Sequence, residues 1–285
     1  MSPSTDVRDS REFASEFKFL ITPGIAEQIR QWARGRLASD PNGLGKPGDA
    51  YQITSLYFAT DQFDVFHRRG SFGRSKYRLR RYGLSETAFL ERKLKTRGLL
   101  TKRRSIVQLE ELERLADDEA ARGWAGRWFH RRLQARRLRI VVQISYRRAA
   151  RVAMTNNGPI RLTLDDDVRA LPAEGMAFNH INEGIRLLEN QVILELKFLR
   201  HMPVLFKLLV EEFALNPRSV SKYRLAAAAL DLVPTPSLQT NYTASSSDRA
   251  ADLVSQFSLG ASRPSPAGWL AAHEANDRQR AAPRP

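Results

Sequence analysis

Apolar and polar residues alternate along several short segments of the chain, and this alternation is the pattern of strands that bury one face. In residues 15–21, Phe17 and Phe19 fall on one side of the predicted strand, whereas Glu16 and Lys18 fall on the other. The same alternation predicts further strands at residues 51–59, 76–82, 89–95, 139–151, 160–168 and 192–198.

Apolar residues at helical spacing predict helices at the beginning, middle and end of the chain. Pro23 suits the first turn of a helix, and Ile25, Ile29 and Trp32 then recur on one face. Helices are also predicted at residues 109–138, with a break near Gly123, and at residues 203–215 and 219–232. Because strands and helices do not alternate regularly, the order indicates an α+β fold rather than βαβ units.

Each predicted strand has one apolar side and one charged side. The apolar sides require cover, which the helices can supply. The charged sides either face water on an open sheet or face one another inside a closed antiparallel β-barrel. Like charges on neighbouring strands destabilise a sheet, so a face of one sign favours a barrel with a basic lumen that holds a polyanion. The side chains on these faces are nearly all positive: Lys18, Lys76, Arg78, Arg80, Lys93 and Lys95.

The charge of the whole chain agrees with an anionic partner. The chain has 285 residues, and its 46 Lys and Arg against 31 Asp and Glu give a formal charge of +15. Hydrophobic residues make up 42% of it, which is enough for a packed core and excludes disorder throughout. Residues 68–104 contain fourteen basic residues and two acidic ones, so the positive charge is concentrated there.

Composition divides the chain into three parts. Residues 12–235 are predicted to form one domain, whereas residues 1–11 and the Ser-, Ala-, Pro- and Gly-rich tail at 236–285 are predicted to be mostly disordered. No apolar run reaches the roughly 20 residues of a membrane span, and no hydrophobic segment lies near the N-terminus. These features predict a cytoplasmic protein without a transmembrane segment.

Several kinds of site are excluded or disfavoured. The chain has no Cys, so it has no disulfide, no thiolate nucleophile and no Cys-ligated metal. None of its five His residues is paired at HxxxH spacing, which disfavours a His-based metal site. A helix-turn-helix signature and strands with interleaved aromatic residues are both missing, so a nucleic-acid partner is not expected.

Eight short motifs follow one another in an order that resembles the polyphosphate polymerase (VTC) domain of the triphosphate tunnel metalloenzyme superfamily. The resemblance covers residues 12–232. The motifs are EFKFL at 16–20, SLYFAT at 55–60, KYRLRRYG at 76–83, FLERKLK at 89–95, ISYRRAA at 144–150, RLTLDDDVR at 161–169, ILELKF at 193–198 and SVSKYRLA at 219–226.

The resemblance implies an antiparallel barrel, the triphosphate tunnel fold, with helices around it. It also implies a polyphosphate polymerase, which moves the γ-phosphate of ATP onto a growing polyphosphate chain with Mn²⁺ or Mg²⁺ as cofactor. A tripolyphosphate or nucleoside triphosphate hydrolase of the same fold, and a non-catalytic polyphosphate-binding module, remain alternatives. Eukaryotic members of the family are fused to membrane segments, so association with a separate membrane protein is left open, as is the oligomeric state.

Family roles transfer to individual residues of this sequence. The resemblance assigns catalytic roles to Lys18, Arg78, Arg80, Lys93, Glu195 and Lys222. It assigns phosphate binding to Lys18, Arg78, Arg80, Lys93, Tyr146, Arg148, Ser221 and Lys222. It assigns the metal to Glu195, with Glu16 and Glu91 as further candidates. Ala14 stands where the hydrolase branch has the first Glu of an ExExK motif, which favours the polymerase branch.

The residue types suit phosphoryl transfer, because Arg matches phosphate oxygens with paired donors and a carboxylate can hold a divalent metal. Simpler structural roles remain open for each of them. Glu195 and Lys197 suit a salt bridge, and Ser221 suits a helix N-cap. The remaining structural alternatives are a solvated face for Arg78 and Arg80, an ion pair for Lys18 and a core position for Tyr146. Asp165–Asp167 could bind metal, but turns or salt bridges are favoured for them. Lys102, Arg103 and Arg104 could line the tunnel mouth or stay in solvent.

Overall fold

A computed structural model describes residues 15–43, 45–46, 49–96, 99–117, 122–180 and 182–233, without the side chains of residues 72, 95, 96, 99 and 100. The predicted disordered segments 1–11 and 236–285 lie outside the described residues, as do Ala14 and the side chain of Lys95. The single domain at 12–235 stays a prediction.

Ten strands and five helices make up the described structure. The strands are β1 (Ser15–Ile21), β2 (Ala38–Ser39), β3 (Ala50–Ala59), β4 (Ser75–Tyr82), β5 (Thr87–Thr96), β6 (Leu99–Gln108), β7 (Arg139–Thr155), β8 (Gly158–Pro172), β9 (Ile185–Arg186) and β10 (Val192–Phe198). The helices are α1 (Pro23–Arg34), α2 (Asp64–His67), α3 (Arg127–Arg136), α4 (Val204–Glu212) and α5 (Lys222–Ala229), with 3-10 turns at Phe72–Arg74 and Leu109–Leu115.

Most of the predicted elements are present, and local sequence explains the start of α1. Helix α1 begins at Pro23, after the Thr22 hydroxyl, which accepts a hydrogen bond from the Ile25 backbone N–H at 3.3 Å. The seven predicted strands are all present. The prediction of mostly helical structure at 109–138 is wrong in part, because this segment begins as a 3-10 turn and its α-helix starts only at Arg127.

The strands form one antiparallel sheet in the order β1-β10-β8-β7-β3-β4-β5-β6, with β2 on β7 and β9 on β8. The α+β class with an antiparallel sheet is confirmed. Closure into a barrel is not: among the described residues no hydrogen-bonded ladder joins the end strands β1 and β6. The sheet is instead strongly curled, since Lys93 of β5 reaches Glu16 of β1 at 3.2 Å.

Three helices cover the convex face of the sheet. Helices α1 and α4 pack on β1, β8 and β10 around Phe19, Ile29, Leu194 and Phe206, which are fully buried. Helix α3 and the Leu109–Leu115 turn pack on β3 to β6. The expectation that helices cover the apolar strand faces is therefore met on this side.

Helix α5 lies on the opposite, concave face. Its residues Tyr223 and Ala226 share a core with Ile53, Tyr57 and other inward-facing side chains. Tyr57 pairs across the β3–β4 ladder with Arg78, so this core is continuous with the charged face. Helix α5 therefore fills part of the curled sheet and leaves the charged part as a lumen. Among the described residues, none of the helices has the length and hydropathy that a membrane span needs.

Candidate functional site

The eleven residues that the resemblance singles out come from six elements, and the structure brings all of them to the concave face. Each contacts another member of the set or a shared neighbour. They lie on β1 (Glu16, Lys18), β4 (Arg78, Arg80), β5 (Glu91, Lys93), β7 (Tyr146, Arg148), β10 (Glu195) and the start of α5 (Ser221, Lys222). Alternation along each strand explains the placement, because residues two apart share a face.

Glu195 is the centre of the first group of charges. Its carboxylate lies 2.7 Å from the ammonium group of Lys18, which is opposite it on β1, and 2.9 Å from that of Lys197. Lys222 and Arg148 follow at 3.7 and 3.8 Å. We define the Glu195 cluster as Glu16, Glu195, Asp165, Lys18, Lys93, Lys197, Lys222 and Arg148.

Asp165 belongs to this cluster, although the sequence analysis favoured a turn or salt-bridge role over metal binding for Asp165–Asp167. It is fully buried, and both of its oxygens accept hydrogen bonds from Arg148 at 2.6 Å. Its carboxylate also accepts a hydrogen bond from Lys222. Alternation from Thr163 to Asp165 was the signal that could have found it, because Thr163 pairs with Glu195 and so shares its face.

A β-bulge separates the three consecutive acids of β8. The ladder with β7 shifts register between Ser145 and Arg147, and Asp167 has a positive φ of 47°. Asp165 therefore points into the lumen, while Asp166 pairs with Arg30 and Arg147, and Asp167 pairs with Arg169 and Arg186. The salt-bridge alternative for these three acids is the one that the structure shows.

Glu91 is the centre of a second group of charges on β4, β5 and β6. Its carboxylate lies 2.6 Å from Arg78, 3.3 Å from Lys102, 3.5 Å from Arg104 and 4.0 Å from Arg80. We define these five residues as the Glu91 cluster. The side chains of Arg78 and Arg80 are 23% and 6% exposed, so the solvated-face alternative for these two residues does not hold.

Strand β6, which the alternation did not predict, contains Lys102, Arg103 and Arg104. Its pairing determines which of these three cations face the lumen. Lys102 and Arg104 alternate onto the concave face and reach Glu91. Arg103 points the other way, where its guanidinium lies 4.3 Å from the ring centre of Trp128. Two of the three cations therefore line the lumen, and one packs on the convex side.

Tyr146 and Ser221 combine a structural role with a place in the lumen. Tyr146 is buried, and its hydroxyl accepts a hydrogen bond from Arg80 at 3.1 Å. Ser221 is the N-cap of α5, and its hydroxyl oxygen also accepts a hydrogen bond from Lys76 at 3.0 Å. Lys222 follows at the helix start, where a cation is unfavourable, and the carboxylates of Asp165 and Glu195 compensate it there.

The two clusters hold their acids ionised. Burial opposes the charge of Glu195, but Lys18 and Lys197 outweigh it and keep the pKa of Glu195 well below its usual range. Burial likewise opposes the charge of Glu91, and Arg78 with Arg80 keeps the pKa of Glu91 well below its usual range. Both carboxylates are therefore available as anions at neutral pH.

Lys76 and Tyr57, which lie beside the cations of the two clusters, have pKa values near neutrality. Burial and the nearby charges of Lys18 and Lys93 lower the pKa of Lys76 to about 8, against the opposing effect of Tyr57. Burial alone would raise the pKa of Tyr57, but Arg78 and the other cations lower it to about 7. These shifts indicate a strongly positive potential at this point of the lumen.

The carboxylates of the Glu195 cluster fit a hard divalent cation. Glu195 and Glu16 already share one positive group, because the Lys18 ammonium lies 2.7 and 3.0 Å from them. Thr163, opposite Glu195, has a buried hydroxyl without a hydrogen-bond partner among the described residues. The described chain has no group of three or more His, Cys, Asp or Glu that could hold a metal by itself. Mg²⁺ sites commonly use one or two carboxylates together with substrate phosphates, and these residues suit that arrangement.

Solved structures with remote similarity come from several organisms. A candidate adenylate cyclase from Bacillus halodurans aligns at 14% identity, over 75% of this chain and 96% of that one, with a TM-score of 0.46. A candidate adenylyl cyclase from Hippeastrum, described as having a dominant triphosphatase activity, aligns at 13% identity, over 78% of this chain and 97% of that one, with a TM-score of 0.42. A protein from Pyrococcus horikoshii aligns at 13% identity, over 74% and 97% of the two chains, with a TM-score of 0.38.

No curated protein sequence matches the chain. The VTC domain, in contrast, matches residues 13–231, which include every strand and helix of the described structure. This match confirms the resemblance that the eight motifs indicated. The chain belongs to the VTC domain family.

Proposed function

We propose that this protein is a polyphosphate polymerase-like phosphotransferase, which moves the γ-phosphoryl group of ATP onto the end of a polyphosphate chain. The observation that carries the proposal is the charge of the concave face. The two clusters together with Lys76 contain ten cationic side chains and four carboxylates. Such an excess of inward-facing positive charge is stabilised by a bound polyanion.

The proposed reaction needs no protein nucleophile. An oxygen of the terminal phosphate of the chain attacks the γ-phosphorus of ATP, a new P–O bond forms, and the bond from the γ-phosphorus to the bridging oxygen breaks with ADP as the leaving group. The protein positions the two phosphates and neutralises the charge that develops between them. In the proposal, Arg78, Arg80, Lys18 and Lys93 do this from strands that form one rigid sheet.

The remaining site residues have supporting roles in the proposal. Arg148 and Lys222 contact phosphate from the other side of the lumen, and Tyr146 orients Arg80 through its hydroxyl. Glu195, with Glu16 beside it, holds Mn²⁺ or Mg²⁺, and Glu91 is a further candidate ligand. The metal would supply charge neutralisation at the phosphate oxygens. ATP and polyphosphate are the expected partners.

One experiment separates the proposal from its alternatives. The purified protein is incubated with ATP and Mn²⁺ or Mg²⁺, and the products are resolved on a gel. We expect ADP together with long polyphosphate chains, and no product when the metal is chelated. Free phosphate without long chains would support the hydrolase, which the Ala14 position disfavours. Tight polyphosphate binding without turnover would support the binding module, and a preference for duplex DNA over polyphosphate would contradict the tunnel. The cytoplasmic location and a membrane partner stay predictions.

A further inference from the structure

Lys76 differs from the nine cations of the two clusters. Each of those nine lies within 4.0 Å of a carboxylate. The ammonium group of Lys76 has no carboxylate within that distance in the part of the chain that the structure describes, and its hydrogen-bond partner is the Ser221 hydroxyl at 3.0 Å. Its charge is therefore not balanced by a neighbouring acid.

The groups that face Lys76 are mostly positive. Lys93 stands opposite it in the β4–β5 ladder, Arg78 follows on the same face of β4, and Lys18 approaches from β1. Tyr57 of β3 is the neighbour that favours its charge. Like charges placed this close destabilise the free protein, and a bound anion would remove that cost.

The hydrogen bonds of Ser221 indicate what kind of anion fits. A hydroxyl has two acceptor lone pairs and one donor hydrogen. The Ser221 oxygen already accepts from the Lys76 ammonium at 3.0 Å and from the Arg224 backbone N–H at 3.4 Å. Its hydrogen is left for an acceptor, and a phosphate oxygen is an acceptor that also pairs with the ammonium group.

We propose that Lys76 and Ser221 form a phosphate-binding subsite, which receives one phosphoryl group of a triphosphate or polyphosphate at the point of the lumen where α5 begins. The inference rests on the proposed function, because it adds a binding residue to the same lumen. Lys76 is the first residue of the KYRLRRYG motif, but the resemblance assigns it no role. Its role is argued from its missing counter-ion and from the free donor of Ser221.

Calorimetric titration with sodium tripolyphosphate, without nucleotide or metal, tests the subsite separately from catalysis. Losing a charged hydrogen bond to phosphate weakens binding about tenfold or more, so we expect this change in Kd for Lys76→Met. The control Arg131→Met removes one positive charge from the exposed face of α3 and leaves Kd unchanged. A Lys76→Met protein that binds tripolyphosphate as tightly as the wild type overturns the inference.

Lys76→Arg gives a second readout, the pH dependence of tripolyphosphate binding. This readout would not change if Lys76 only connected β4 to α5 structurally. Because the pKa of Lys76 is about 8, the wild type must take up a proton when it binds an anion above that pH. We expect its affinity to fall between about pH 7 and pH 9 more steeply than that of Lys76→Arg, whose guanidinium stays charged. Tyr57, Lys18, Lys93, Arg78 and Lys222 are unchanged in both proteins, so the difference reports on Lys76.

The outcomes distinguish this inference from the proposed function. Equal pH profiles for the wild type and Lys76→Arg contradict the inference. This comparison does not need Lys76→Met, so it still decides the question if Lys76→Met does not fold. The wild type could bind tripolyphosphate and elongate polyphosphate while Lys76→Met binds tripolyphosphate with the same Kd. In that case the subsite is wrong and the proposed function stands. If the wild type itself does not bind tripolyphosphate, the inference and the proposed function both fail.

Discussion

The two charge clusters of the lumen differ in the number of carboxylates and in whether Lys or Arg supplies the positive charge. The Glu195 cluster joins β1, β5, β7, β8, β10 and α5, and it contains three carboxylates among five cations, four of which are Lys. The Glu91 cluster joins β4, β5 and β6, and it contains one carboxylate among four cations, three of which are Arg. The first cluster is therefore closer to neutral, and the second has more positive charge for each acid.

This difference suggests a division of labour in the proposed reaction. Carboxylate oxygens are the ligands that hard divalent cations prefer, so the Glu195 cluster suits the metal end of a metal–triphosphate. Arg presents planar paired donors to phosphate, so the Glu91 cluster suits a polyanion without metal. Removing the central acid of each cluster should therefore have different effects.

Glu195→Gln is expected to have the largest effect. It removes a carboxylate charge from the cluster that holds the metal, so metal-dependent turnover of ATP should fall on the order of 100-fold or more. The matched variant Glu91→Gln should lower turnover less and keep the same dependence on metal concentration. Activity is measured as ADP formed across a Mn²⁺ titration. Equal losses and equal metal dependence in both variants would contradict the division of labour.

Arg78→Ala is expected to weaken binding of the polyanion. A charged hydrogen bond contributes about 1.5–3 kcal/mol, so tripolyphosphate should bind about tenfold to a hundredfold more weakly without Arg78, and polyphosphate synthesis should be lost. Arg78→Lys keeps the charge but not the paired donors, and we expect partial recovery. Binding is measured by calorimetry at two salt concentrations. Full recovery by Lys would show that charge alone matters in the Glu91 cluster.

Asp165→Asn tests how much the buried ion pairs of the Glu195 cluster contribute to stability. Asp165 is buried between Arg148 and Lys222, and breaking a buried ion pair by removing one partner costs about 3–5 kcal/mol. We expect a loss of this order in the free energy of unfolding, measured in urea. Asp167→Asn is the control, because Asp167 pairs with Arg169 and Arg186 nearer the surface and should cost less than about 1 kcal/mol. Equal losses would mean that burial of Asp165 contributes little.

Tyr57 should report the potential of the lumen through its own titration. The unfolded chain keeps the tyrosine proton up to about pH 10, whereas the folded protein loses it near pH 7. The unfolded state therefore binds more protons between these values, and Tyr57 makes stability rise with pH across this window. Tyrosinate absorbance should show a titration near pH 7 that Tyr57→Phe removes and that tripolyphosphate shifts upward. Tyr82 titrates separately, because, against the effect of burial, Arg80 lowers its pKa to about 8. Absence of a titration near pH 7 that Tyr57→Phe removes would contradict this potential.

The face of each strand was predictable because alternation is a local property. Phe17, Phe19, Glu16 and Lys18 lie on the sides that the pattern indicated, and the same holds for Glu195 and its apolar neighbours on β10. The start of α1 was equally local, since Pro23 and the Thr22 cap act within one turn. Such features need no knowledge of what the strand packs against.

The directions of Asp166, Asp167, Lys102 and Arg104 were not predictable in the same way. A bulge with a positive φ at Asp167 breaks the period of β8, so the alternation that holds before it does not continue after it. Strand β6 carries three consecutive basic residues at 102–104, and its pairing with β5 decides which of these cations turn inward. Register and bulges depend on the partner strand, which a single sequence does not specify.

Sequence alone determined the α+β class, the charged face of most strands and the family, because these depend on residue types at short spacing. Tertiary structure decided that the sheet curls without closing, that α5 enters the concave face, and that the cations divide between Glu195 and Glu91. It also decided that Lys76 has no acid beside it among the described residues. These outcomes depend on which strands become neighbours, and long-range pairing sets that geometry rather than any local pattern.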